Sequence, residues 1–247
     1  MTIISPINFA IGMITLIFLV MSGASVSLMM FRKYYKYKEK HLLNLGWTWN
    51  FLSSIWWGDT ITFYLMLFLG DEFWLPDPIF FFLKFTFIFP IFYLWPPVFG
   101  DLMLDKKRNL KSAYIWGAAI YGTLLEISFL VLFFLNYNNI GVRNGPYSAE
   151  WGFIAYLYMF SIIIIFIIPG IFFSQSAANS EKKDIKIKGE TLFFSFITLG
   201  FAIALEFLFF QFDLLNLIAR IFYIQTALTF YFGFTLPKIM RKVFKID

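Results

Sequence analysis

ALEFLFFQFDLLNLIARIFY, residues 204–223, is a run of mostly Phe, Leu and Ile that nevertheless holds Glu206, Asp213 and Arg220. As one straight helix, the apolar stretch 191–236 around it would measure about 69 Å at about 1.5 Å per residue, against a bilayer hydrocarbon core near 30 Å. The stretch must therefore turn, and FDLLN around Asp213 is the polar place to do so. Two antiparallel helices follow, with Glu206 and Arg220 each seven residues from the apex. Equal distance from the turn predicts equal depth, and so a buried Glu206–Arg220 ion pair. That pair reads either as a structural clamp between two helices or as part of an outward-facing pocket.

The rest of the chain supports this reading. Of its 247 residues, 60% are hydrophobic and 14% charged, with a mean hydropathy of +0.74. A water-soluble domain of that size cannot hide so much apolar surface. Apolar runs separated by short polar breaks place seven spans at roughly 5–31, 42–69, 78–100, 112–136, 150–173, 190–212 and 214–236. The expectation is an all-α, polytopic membrane protein: one seven-helix transmembrane domain over residues 1–247, with neither a repeat nor a second domain. The first run ends in SGASVSLMMFRKYYKYK and reads as a retained helix rather than a cleaved leader. With no cysteine and one histidine, His41, in a basic segment, the chain points away from thiolate, zinc and histidine chemistry. No catalytic residue, metal site or cofactor is expected.

Basic residues orient the bundle. Seventeen of the twenty Lys and Arg fall in the connections after spans one, three, five and seven, whereas the opposite side holds Arg143 alone. This places the N-terminus outside and the C-terminus in the cytoplasm, in the plasma membrane. The net charge of +5 is then an inner-face excess suited to anionic lipid, not a module that reads nucleic acid. Outer connections such as YNNIGVRNGPYS (137–148) read as short caps. Oligomeric state is not legible.

Charges at bilayer depth cost about 2.5–3.5 kcal/mol on insertion scales and so face the bundle interior. Five qualify: Asp59, Lys84, Glu126, Glu206 and Arg220. Helical spacing puts Glu206 on a small and polar face with Ser195, Thr198 and Ala202, and Arg220 with Asn216, Tyr223 and Ala227. Lys84 is expected to bend inward and pair with Asp59. Ala119, Gly122, Thr123 and Glu126 form a similar face, on which Glu126 reads as a buried carboxyl or a functional one. In WNFLSSIWWGDTITFY (49–64 with Trp49 first), Trp56 and Trp57 lie deep enough to wall a ligand cavity or simply to pack, whereas Trp47 and Trp49 read as interface anchors. Asp59, Lys84, Glu126, Glu206, Arg220, Trp56 and Trp57 are thus the candidate ligand-binding set. Pro90, Pro96, Pro97 and Pro169 are expected to bend their helices.

Seven spans with an outer N-terminus resemble the architecture of rhodopsins and G-protein-coupled receptors. Retinal proteins carry a lysine in the middle of span seven; here the nearest is Lys238, after FGFTLPK, so the resemblance is to a rhodopsin-like topology without the retinal lysine. Rhodopsin-class receptors carry Asp-Arg-Tyr and Asn-Pro-x-x-Tyr motifs where this chain has FGDLMLDKKR and FTLPKIM. GFTLPKIMRKVFK (233–245) is similar to the end of seven-helix sensor regions that precede prokaryotic histidine kinases. The resemblance implies receptor-like sensing, with output to a separate cytoplasmic signalling partner docked on the basic face. The alternatives are a small secondary transporter or channel using Asp59 and Glu126, an intramembrane enzyme with Asp59 and Asp101 as paired aspartates, and a structural role.

Overall fold

A computed structural model describes residues 4–209 and 212–244. Six of its helices are long and apolar enough to cross a membrane: Lys40–Leu69, Asp77–Met103, Arg108–Leu135, Phe153–Ala178, Lys183–Leu208 and Leu214–Thr235. The chain is an integral membrane protein by this measure. Ahead of them, α1 (Pro6–Met21) runs through a π turn (Ser22–Ser27) into α2 (Leu28–Tyr37) without a break. Several helices extend past the apolar runs because flanking Lys and Arg continue a helix while their stems lie along it and their charges reach water. Helix α10 (Lys183–Leu208), for example, starts seven residues before the expected span.

Local chemistry breaks the long helices where they matter. The second span is α3 (Lys40–Leu52), a 3₁₀ turn (Ser53–Trp56) and α4 (Trp57–Leu69). Ser53 and Ser54 cause the change of pitch by donating their hydroxyls to the carbonyls of Asn50 and Phe51, at 2.7 and 2.6 Å, in competition with the helical ladder. In the third, α5 (Asp77–Phe85) gives way to a 3₁₀ turn (Thr86–Ile88) just before Pro90, and α6 (Ile91–Met103) absorbs Pro96 and Pro97 internally. Helix α7 (Arg108–Leu135) is unbroken. In the fifth, α8 (Phe153–Ile162) meets a π turn (Ile163–Ile167) immediately ahead of Pro169 in α9 (Ile168–Ala178). The proline lacks the N–H that the preceding turn would have used.

Two sequence expectations need correction. The connection 137–151, expected to be an outer cap, is more than a cap: β1 (Gly141–Arg143) and β2 (Ala149–Trp151) pair antiparallel, with Val142 opposite Glu150. Arg143, the one basic residue of this connection, ties it down through a buried side chain, donating to Leu75 O and Pro146 O at 2.5 Å each, beside Asp77. It therefore satisfies buried carbonyls instead of decorating the surface. The apex of the last pair also moves. Helix α10 ends at Leu208 and α11 (Asp213–Thr235) begins at Asp213, so Asp213 opens the second helix. Phe210 and Gln211, which the sequence reading placed inside span six, lie outside the described residues. A short helix, α12 (Lys238–Val243), follows Pro237.

Small residues set the helix spacing, as close packing in lipid requires. A Cβ on Gly189 of α10 would lie 2.7 Å from Ala178 Cα, within the backbone of α9, whereas one on Gly200 would find Ile167 Cγ2 at 3.5 Å. Gly189→Ala should therefore destabilise the detergent-solubilised protein by about 1–3 kcal/mol through overpacking. Gly200→Ala, gaining helix propensity of up to about 1 kcal/mol, should hold or raise Tm. Equal Tm values for the two variants would show that the α9–α10 approach is looser than described.

Candidate functional site

Four of the five intramembrane charges converge. Asp59 from α4, Lys84 from α5, Glu206 from α10 and Arg220 from α11 are all buried. Lys84 Nζ donates to Asp59 Oδ2 at 3.0 Å and stands 3.6 Å from Glu206 Oε1. Arg220 Nη2 donates to both acids, to Asp59 Oδ2 at 3.0 Å and to Glu206 Oε1 at 2.9 Å. Both expected pairs are present, and they are fused into a single ring of two acids and two bases.

Helix direction explains how Glu206 and Arg220 meet despite the shifted turn. Glu206 lies two residues before the end of α10, and Arg220 seven beyond the start of α11. The five-residue difference is about 7 Å of helix rise. Side chains lean toward the N-terminus of their own helix. In an antiparallel pair, Glu206 therefore leans away from the turn and Arg220 toward it, and the length of the arginine closes the gap.

Aromatic groups complete the ring. Trp56 Nε1 and Tyr223 Oη donate to Glu206 Oε2 at 3.3 and 2.7 Å, so that carboxylate accepts on both oxygens. Lys84 Nζ lies 5.2 Å from the Phe80 ring and 5.4 Å from that of Trp151, distances at which ring quadrupoles attract a cation. Arg220 Cζ is 6.0 Å from the Trp56 ring, which itself packs 4.2 Å from Tyr223 and 4.8 Å from Phe18. The 3₁₀ turn ending at Trp56 aims the indole and, three residues on, Asp59 at the same point. Gly58 permits the approach of α5, since a Cβ there would meet Phe80 O at 3.3 Å.

The other candidates lie elsewhere. Glu126 accepts from the Tyr158 hydroxyl between α7 and α8. Trp57 turns away from the ring and stands half-buried, 5.2 Å from Phe87. Trp49, expected at the interface, is buried against Phe230 at 4.3 Å, while Trp47 remains exposed. Exposed Asp101 and Asp105 stand around half-buried Lys111 at the far end of α6, remote in sequence and setting from Asp59. The sequence reading missed Tyr223 as a ligand of Glu206, although it falls on the same helical face three residues after Arg220. It also missed Trp151 and Tyr147, whose approach to the ring depends on how the β1–β2 hairpin folds back.

The ring holds charge balance and fixed geometry, with its lysine and both carboxylates engaged in ion pairs; among the described residues there is no grouping of three or more His, Asp or Glu suited to a metal ion. No family model, curated protein or solved structure matches the chain.

The charge arithmetic makes a specific demand. Removing one member strands a buried charge, which typically costs about 3–5 kcal/mol, whereas removing an acid and a base together is often near neutral. Glu206→Gln and Arg220→Met alone should each lower Tm in detergent, and the double variant should recover much of the loss. Asp59→Asn with Arg220→Met should recover as well, but Asp59→Asn with Glu206→Gln should not. Simple additivity throughout would mean that the four groups are uncoupled.

Proposed function

We propose that the chain is a receptor-like membrane protein with seven spans, α1–α2 supplying the first, with its N-terminus outside and its C-terminus on the cytoplasmic side of the plasma membrane. An event at the outer surface alters the charge ring, the ring resets how α10 packs on α11, and the basic inner surface, lying over anionic lipid, presents the change to a separate partner. The observation that carries this reading is the wiring of the outer hairpin to the ring. Trp151 of β2 places its ring against Lys84 and stacks 5.0 Å from Phe207 of α10. Arg143 of β1 ties the same hairpin to the start of α5 through Leu75 O and Asp77. Movement of the hairpin therefore acts directly on two of the four helices that share the ring.

Further support comes from the balance of the ring. Each charge contacts two of opposite sign or a dedicated aromatic, so a small displacement exchanges partners without stranding a charge, as a two-state element requires. The seventeen inner Lys and Arg supply both the orientation argument and the docking face. Asp59 and Glu126, the pair a transporter reading would use, are committed to separate partners.

Single cysteines are easily introduced into a cysteine-free chain. In intact cells, an impermeant thiol reagent should label Ser148→Cys and leave Ser180→Cys unlabelled. An environment-sensitive fluorophore on Ser180→Cys should change emission when Trp151→Ala is added, because the hairpin reports to the inner end of α9–α10. Labelling of position 180 from outside would reverse the orientation. A silent fluorophore, together with ion flux in proteoliposomes that Asp59→Asn abolishes, would replace sensing by transport.

A further inference from the structure

The hairpin carries a second probe toward the ring. Its tip, 144–148, forms with Asn8 and Ile11 of α1 a polar recess of about 170 Å³ at the outer end of the bundle. Tyr147 lines that recess and continues downward as a buried side chain packed with Ile11 and Phe63. Gly12 makes the room: a Cβ there would lie 2.7 Å from the Tyr147 hydroxyl. That hydroxyl is buried and has no hydrogen-bond partner among the described residues. Phe63, which shares its buried cluster, lies one turn from Asp59 on α4, and Leu217, packed against that cluster, lies one turn from Arg220 on α11, so Tyr147 stands over the ring; burial raises its pKa above the ordinary tyrosine value and keeps it protonated.

The ring is also incompletely used. Asp59 Oδ1, Arg220 Nε and Arg220 Nη1 are buried without a hydrogen-bond partner among the described residues, although Asp59 Oδ2 and Arg220 Nη2 each make two contacts. Unengaged acceptor and donor atoms of formal charge therefore stand together below Tyr147. Buried charged groups are rarely left so, because each unmade hydrogen bond forfeits its desolvation cost.

On these observations we propose that the recess, Tyr147 and the unengaged atoms of Asp59 and Arg220 form a binding site for a small zwitterion, an amine and a carboxylate on one short frame. The proposal rests on the receptor reading and names its ligand class. The carboxylate takes the N–H groups of Arg220 and the Tyr147 hydroxyl; the ammonium takes Asp59 Oδ1. Net charge selects this class. The ring already balances two acids against two bases, so a lone anion or cation would bring an uncompensated charge into a low-dielectric site. A zwitterion satisfies both signs and leaves the balance at zero. The recess, lined by the hairpin tip with Asn8 and Ile11, admits a molecule of amino-acid size as far as Tyr147 and falls below the usual volume range for larger ligands; Asp59 and Arg220 lie beyond that lining. Entry requires Tyr147 to swing aside with the hairpin tip.

The test is a thermal-shift titration of the purified full-length protein in detergent with glycine, β-alanine, γ-aminobutyrate and glycine betaine, beside acetate and methylammonium, all below 20 mM so that bulk osmolyte effects stay small. At least one primary-amine zwitterion should raise Tm saturably. Acetate, methylammonium and the fully methylated betaine, which cannot donate to Asp59, should not. Tyr147→Phe strands no partner, so it should fold normally and weaken the apparent Kd about tenfold, the usual loss for one hydrogen bond to a charged group. The proposal is overturned if no zwitterion shifts Tm, if acetate or methylammonium acts equally, or if Tyr147→Phe binds as the wild type does. A null titration combined with a Ser180→Cys fluorophore that still answers to Trp151→Ala would remove this ligand class and leave the receptor reading standing.

Discussion

The bundle is organised by a single electrostatic constraint: two carboxylates, a lysine and an arginine share one dry site and must sum to zero. Between helices in lipid there is little hydrophobic preference for one rotation over another, because the tails are as apolar as leucine. A charge changes that. Turning any of the four helices by one residue, about 100°, would carry Asp59, Lys84, Glu206 or Arg220 toward lipid and strand its partners. The ring therefore fixes the rotation and depth of α4, α5, α10 and α11 together, and the small-residue faces of those helices supply the close contact. Thr198 and Thr226, 3.1 Å apart, continue the α10–α11 seam below it.

The aromatic jacket decides how strongly the ring acts. Trp56 and Tyr223 donate to Glu206, while Trp151 and Phe80 present ring faces to Lys84. These groups exclude water yet still answer the charges, so the Coulomb attraction is only weakly screened and each ion keeps partners. The helix breaks serve the same end. Pitch changes at Ser53–Trp56 and Thr86–Ile88 lie near the ring's depth on the two spans that provide Asp59 and Lys84, where an unbroken helix would point at least one of them elsewhere.

A second polar seam does different work. Helix α7 is fastened to its neighbours by hydroxyls: Tyr93 to Thr123, Tyr121 to Ser161, Tyr158 to Glu126, and Tyr114 to the carbonyl of Ile165 beside the π turn. This is the least buried of the long helices, with 33% of its apolar window inside the protein, and hydroxyl contacts hold its apolar length, while Lys111 pairs with Asp101 and Asp105 near its start. Glu126 belongs to that fastening, which separates it from the hairpin, the recess and the ring that form the functional reading.

Much of this was legible in one dimension. Hydropathy gave the membrane solvent, and the cost of charge in that solvent singled out Asp59, Lys84, Glu126, Glu206 and Arg220. Helical spacing on the last two spans identified buried faces: Ser195, Thr198, Ala202 and Glu206 on one, Asn216, Arg220, Tyr223 and Ala227 on the other, all now inside. Counting from a turn paired Glu206 with Arg220 even though the turn itself was misplaced, because side-chain lean and arginine length tolerate an offset of several residues. Only the tertiary structure decided that the two expected pairs are one ring and that Glu126 stands apart. It also decided that the connection 137–151, of unremarkable composition, folds back as a hairpin to put Trp151 and Tyr147 over the charges. Periodicity records which face of a helix is buried; it carries no information about which faces of different helices meet, since that is settled by loop paths and by the shape of neighbours such as Gly12, Gly58 and Gly189.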